Sequence, residues 1–131
     1  MEVKRRGSLV MPKNPYNLSF RCKVGGPMHE KNGKYYMDLL LPDITAARIR
    51  RVHEDMRKFL TKDSLWDPMS GNRLRVKVPY RYNRVTCKVS GRKVLQELDT
   101  NDFINATVEF CGVWEMSEWC GLSWKFTLVE T

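Results

Sequence analysis

Along most of this chain apolar and polar residues alternate singly, the period of a strand with one buried face. Tyr16, Leu18, Phe20, Cys22 and Val24 interleave with Asn17, Ser19, Arg21 and Lys23. Gly25-Gly26-Pro27 ends that run, and Asn32-Gly33 supplies a turn pair that tolerates positive φ. A second run, Lys34 to Leu41, carries Tyr35, Met37, Leu39 and Leu41 on one face. Pro42-Asp43 breaks the alternation, with Asp43 as the expected helix N-cap. Ile49, Val52, Met56, Phe59 and Leu60 then recur at helical spacing and leave Arg48, Arg50, Arg51, Arg57 and Lys58 outward. The stripe predicts a helix that covers the core, with its cations on a solvated face. Residues 62–72 read as loop, with Asp67-Pro68 and Ser70-Gly71 as turn signals.

A third run places Leu74, Val76, Val78, Tyr80 and Tyr82 on one face and Arg73, Arg75, Lys77 and Arg81 on the other, interrupted by Pro79. Its apolar parity then changes to Val85, Cys87 and Val89, which predicts a bulge or tight bend near Asn83-Arg84. After Ser90-Gly91, residues 92–102 form a polar connection with a short helical turn. Ala106, Val108, Phe110 and Trp114, and then Leu122, Trp124, Phe126 and Leu128, make a terminal hairpin about Glu115-Met116-Ser117-Glu118. Residues 1–15, basic and holding Pro12 and Pro15, read as a flexible arm before a single domain, 16–131. Some five curved strands favour closure, which removes exposed edges. The expected fold is mainly β: a five-stranded, oligonucleotide-binding (OB)-like barrel with one helix between strands two and three.

Charge sharpens this picture. Lys and Arg exceed Asp and Glu by 23 to 15, for a formal +8, and such a surplus favours polyanionic partners. The wet face of the third run holds four cations and no carboxylate. Cations two residues apart on a strand stand about 7 Å apart, near the phosphate spacing of an extended single strand. The duller explanation is a strand edge guarded against aggregation. No apolar run suits a membrane, and Met1-Glu2-Val3-Lys4-Arg5-Arg6 lacks the apolar segment of a signal peptide, so a reducing intracellular compartment, cytoplasm or nucleus, is expected.

Catalytic and metal chemistry find little purchase. The cysteines Cys22, Cys87, Cys111 and Cys120 form no Cys-x-x-Cys pair, and His29 and His53 complete no zinc signature. Cys22, Cys87 and Cys111 fall in strand patterns as buried thiols, His53 is expected at the surface, and His29 sits in a loop. Asp38, Asp43, Asp55, Asp63, Asp67, Asp99 and Asp102 lack metal spacing, and no phosphate loop, nucleophile elbow or Cys-His pairing occurs. No catalytic residue, metal or cofactor is expected.

The remaining chemistry is cationic and aromatic. Single-strand binders combine a positive groove with rings on which bases stack, each stack worth about 1–3 kcal/mol. The candidates are Arg21, Lys23, Arg73, Arg75, Lys77, Tyr80, Arg81, Tyr82, Arg84, Lys88, Trp114 and Trp119. Tyr80, Tyr82, Trp114 and Trp119 serve equally as core or as stacking rings, whereas Trp124 and Phe126 belong to the core. The run Ala106 to Val129, and within it Gly121-Leu122-Ser123-Trp124-Lys125-Phe126, resembles the closing hairpin of viral and phage-type single-stranded DNA-binding OB proteins. The resemblance covers about a quarter of the chain. It implies an OB barrel, a non-catalytic role on single-stranded DNA and a place in DNA replication. Many such proteins end in an acidic tail that recruits partners. This sequence ends Val129-Glu130-Thr131, so the resemblance does not carry tail-mediated recruitment here. RNA binding uses the same platform physics. A structural or interaction β-domain of a viral or chromatin-associated assembly is the competing class, and a homo-oligomer is compatible with either.

Overall fold

In the computed structural model, which describes residues 1–131, the alternating runs become strands of one extended sheet. In chain order they are β1 (Val3–Arg6), β2 (Leu9–Pro12), β3 (Asn17–Val24), β4 (His29–Lys31), β5 (Lys34–Leu40), β6 (Ser64–Trp66), β7 (Met69–Ser70), β8 (Arg73–Val78), β9 (Tyr80–Arg81), β10 (Arg84–Val85), β11 (Lys88–Ser90), β12 (Phe103–Glu115) and β13 (Trp119–Glu130). The one α-helix, α1 (Asp43–Asp55), lies between β5 and β8 in sequence. The main sheet has 11 strands rather than the expected five, because short strands from the connecting segments add to it. Within it a path β12–β3–β5–β8–β13 returns to its start, since β13 also pairs with β12. Neighbours on this path are antiparallel except β8 and β13, which pair in parallel through Lys77 and Lys125.

The core fills the inside of this path. Val24, Met37, Leu39, Leu74, Val76, Val108, Trp124 and Phe126 are buried, each contributing about 1.5–3 kcal/mol by leaving water. Helix α1 adds Ala46, Ile49 and Val52 to this core. Its N-cap is Pro42 with no side-chain hydrogen bond, not Asp43. Asp43 is the first helical residue, and its carboxylate accepts a 2.6 Å hydrogen bond from Asn72 Nδ2 instead of turning back on the helix. His53 is not at the surface. Trp124 Nε1 donates to its Nε2 at 2.9 Å, which joins α1 to β13 and uses the polar atom of a buried indole.

Three further expectations are corrected. Residues 1–15 are not a free arm: β1 and β2 form a hairpin, β2 pairs with β12 at Val113 and Trp114, and Val10 joins the core. The segment 62–72 is not all loop, because β6 pairs in parallel with β13 and β7 pairs antiparallel with β8. The third run is not one long strand. β8 stops before Pro79, which has no N–H for the ladder, and β9 and β10 form a separate hairpin about Tyr82 and Asn83. The change of parity comes from that reversal, the tight bend of the two expected alternatives and not the bulge. Between β11 and β12 the polar connection contains a short 3₁₀ turn, Leu95–Glu97.

No helix is long and apolar enough to cross a membrane. All four cysteines are free thiols. Cys22 is pushed up to about 12 by burial, against the pull of Arg21, so it is a packing residue and not a nucleophile. Cys87 lies just before β11 and outside any strand.

Candidate nucleic-acid interface

The outer face of β5 and β8 follows from their register. Tyr36 stands opposite Lys77 and Asp38 opposite Arg75, while Met37 and Val76 between them point into the core. On the next strand Lys77 stands beside Lys125. One level of the outer face therefore reads Tyr36, Lys77, Lys125 across three strands.

The aromatic wall is built around a glycine. Trp114 on β12 pairs with Gly121 on β13, and Gly121 pairs on its other side with Trp66 on β6. A methyl group at Gly121 would run into the Trp114 indole, so only glycine lets the ring lie across the strand. The indoles of Trp66 and Trp114 come within 6.4 Å between centroids. Trp119 meets Trp114 edge-to-face at 5.2 Å, and Tyr36 extends the row at 6.3 Å from Trp66. Trp114 reaches this outer face through an irregularity in β12. Its register with β13 shifts between Phe110 and Gly112, and Gly112 has φ +113°, a conformation other residues avoid. Phe110 points inward, so strict alternation would bury Trp114; the extra residue turns it outward.

These rings and several cations enclose a groove of about 370 Å³. Its floor is Tyr36, Arg75, Lys77 and Ser123, with an edge of the buried Trp124 beneath; one wall is Lys31, Asn32 and Lys34 from the β4–β5 turn; the other is Trp114, Met116 and Trp119 with Trp66. Lys31, Lys34 and Lys77 belong to none of the molecule's ion pairs. Burial, and after it the nearby charge of Lys34, lowers the Lys77 ammonium below its ordinary pKa; Cys111 opposes this and Lys125 adds to it. Such a cation is short of counter-charge, and an anion entering the groove relieves it.

The other arginines of β8 are already partnered. Arg75 Nε donates to Asp38 Oδ1 at 3.0 Å and Arg73 Nη1 to Asp38 Oδ2 at 3.2 Å. Burial tends to raise the Asp38 carboxyl, but hydrogen bonds and charge from both arginines outweigh it and hold it below the usual range. The cationic face that looked free of carboxylates on its own strand thus receives one from β5. Opposite, the Glu115 carboxyl is tied to Thr61, whose hydroxyl donates to it at 2.6 Å, and is held below its ordinary pKa mainly by that bond.

Of the residues expected from sequence, Arg75, Lys77, Trp114 and Trp119 meet in the groove. Tyr80 and Arg81 line an adjoining hollow that shares Lys34 and Lys77 with it, and Tyr80 packs on Tyr35 at 4.1 Å between ring centroids. Tyr82 and Arg84 belong to the β9–β10 hairpin beyond. Arg73 lines a smaller hollow with Asp38 that shares Trp66 and Arg75 with the groove. Arg21 and Lys23 lie on β3, where their charged ends sit 5.1 and 5.3 Å from the ring centre of the exposed Phe103. Lys88 pairs with Leu128, at the far end of β13 from Trp119. Sequence reasoning missed Lys31, Asn32, Lys34, Tyr36, Trp66 and Met116 as site residues, and also Ser123 and Trp124 at the floor. For Tyr36 the signal was present: it has the opposite parity to Met37 and Leu39 and so faces outward. No protein-family profile, curated protein or solved structure matches the chain.

Proposed function

We propose that this protein binds single-stranded nucleic acid, DNA in the first instance, on a small barrel of OB type and without catalysis. The observation that carries the reading is the groove: four aromatic rings in a row, rimmed by lysines that have no carboxylate of their own. Unpaired bases have free faces to stack on such rings, and their phosphates have lysines to neutralise; a duplex keeps its bases stacked inside. The barrel reading draws on the closed path of strands β3, β5, β8, β12 and β13, whose ring order and single parallel contact agree with a five-stranded Greek-key closure. The groove lies across the second and third of these strands, between the loop joining the first and second and the loop joining the fourth and fifth. OB folds use that region for oligonucleotides.

The test is quenching of the native tryptophans by oligo-dT, oligo-U and a blunt duplex at two salt concentrations. Tight binding of a single strand is expected, with a log–log salt slope of about −0.7 per phosphate neutralised. Equal affinity for the duplex, or a flat salt response, overturns the groove as a single-strand site. Preference for oligo-U transfers it to RNA.

A further inference from the structure

The β9–β10 hairpin stands apart from the main sheet, its strands pairing only with each other through Arg81 with Arg84 and Tyr80 with Val85. Its two central residues, Tyr82 and Asn83, have φ of +54° and +61°. Two-residue turns of that kind favour Asn followed by Gly, because both positions need the left-handed region. Tyrosine in the first of them is an outlier for a bulky side chain. Nothing in the fold offsets the strain, since Tyr82 is 84% exposed. The Arg81 guanidinium lies over its ring, 6.0 Å from the ring centre. A strained, exposed ring between two arginines suits a ligand better than it suits folding.

The hairpin is also in line with the groove. The hollow at its base is lined by Lys34, Lys77, Tyr80 and Arg81, and its two lysines are also groove residues. A strand whose phosphates follow Lys77 and Lys34 out of the groove is led to Arg81. We propose that the hairpin is a second nucleic-acid contact: Tyr82 stacks on a base of the single strand after it leaves the groove, with Arg81 and Arg84 on the flanking phosphates. This rests on the groove reading and extends the bound length beyond it.

Tyr82→Asn separates ligand from fold, because asparagine suits the turn better than tyrosine does. Each variant is titrated with oligo-dT of about 4 and about 16 nucleotides, the two ends of the site sizes of such folds. Tyr82→Asn is expected to raise the thermal midpoint, to lose roughly tenfold in affinity for the longer oligonucleotide, as removal of one base stack predicts, and to bind the shorter one as before. Tyr82→Phe, which keeps the ring, should match the parent on both. Trp119→Ala, measured alongside, should weaken both lengths. If Trp119→Ala weakens binding while Tyr82→Asn leaves the longer oligonucleotide unaffected, the hairpin inference falls and the groove stands. A lower thermal midpoint for Tyr82→Asn would make the ring a folding residue and overturn the inference as well. If the parent chain binds neither oligonucleotide, both readings fall together.

Discussion

Two tryptophans of the terminal hairpin illustrate how differently one residue type is used. Trp119 is 44% exposed, and its ring meets that of Trp114 nearly at right angles, 5.2 Å between centroids. Trp124 is 1% exposed, donates its indole N–H to His53, and packs on Phe110 at 5.0 Å between ring centroids. Trp119→Ala is therefore expected to leave the thermal midpoint nearly unchanged and to cost about 1–3 kcal/mol of single-strand binding. Trp124→Ala removes a buried ring and leaves a histidine nitrogen without its donor, and should cost about 3–5 kcal/mol of stability. Calorimetry with oligonucleotide titration of both variants checks this, and loss of folding in Trp119→Ala would make that ring a packing residue. At this scale the sequence was informative wherever alternation held: Trp124 and Phe126 alternate with Ser123 and Lys125, and both are buried. It was ambiguous at Trp114, because the shift at Gly112 that turns the ring outward depends on a backbone angle no periodicity reveals.

At the scale of elements, strand β8 and helix α1 both present rows of cations, but with different surroundings. On α1, Arg50 donates to the Gly71 carbonyl at 2.6 Å and to Asn72 Oδ1 at 2.9 Å, so it serves to tie down the loop before β8. On β8, Arg75 is shared with Asp38 and Lys77 is left to the groove. Reversing Arg75 and Lys77 together to Glu is expected to weaken binding far more than reversing Arg50 and Arg51. Of the β8 pair, Lys77→Glu alone should account for most of the loss, since Arg75 is already half neutralised. Salt-dependent titration of the three variants decides, and a dominant effect of the helix pair would move the interface to α1. The strands themselves were readable because each long one has a buried and a wet face. The short ones were not: β6 and β7 offer two or three residues, too few for a period, and form because β13 and β8 present open edges to them. The β1–β2 hairpin was hidden for another reason. Its first strand is mostly basic, while its anchors are few: Val10, buried beside Gly112, and the buried Pro12.

For the whole molecule, the junction of helix and sheet links stability to pH. His53 faces the rings of Trp124 and Phe110, with the Asp67 carboxylate 3.8 Å from its Nδ1. Burial lowers its pKa below the ordinary 6.5, and Asp67 only partly opposes this. The unfolded chain therefore takes up the proton first as pH falls. Stability should be flat above 6.5, decline as pH drops from there toward the depressed folded value, and level off below it. Denaturant midpoints of the parent and of His53→Gln across that window test this; an equally steep decline in the variant would assign the proton to another group. The same assembly depends on β13 more than on any other strand. It pairs with β12 and β8 and also receives β6 and β11, and Thr131 just beyond it bonds to Ser90 and Lys93. Strands β3, β5 and β8 leave the ribosome well before the strand that joins β8 to β12. The nascent protein must therefore wait as an open, half-finished sheet until β13 has been made, and non-local pairing of this kind is slow to form. Synthesis that stalls before β13 would leave edges free to aggregate.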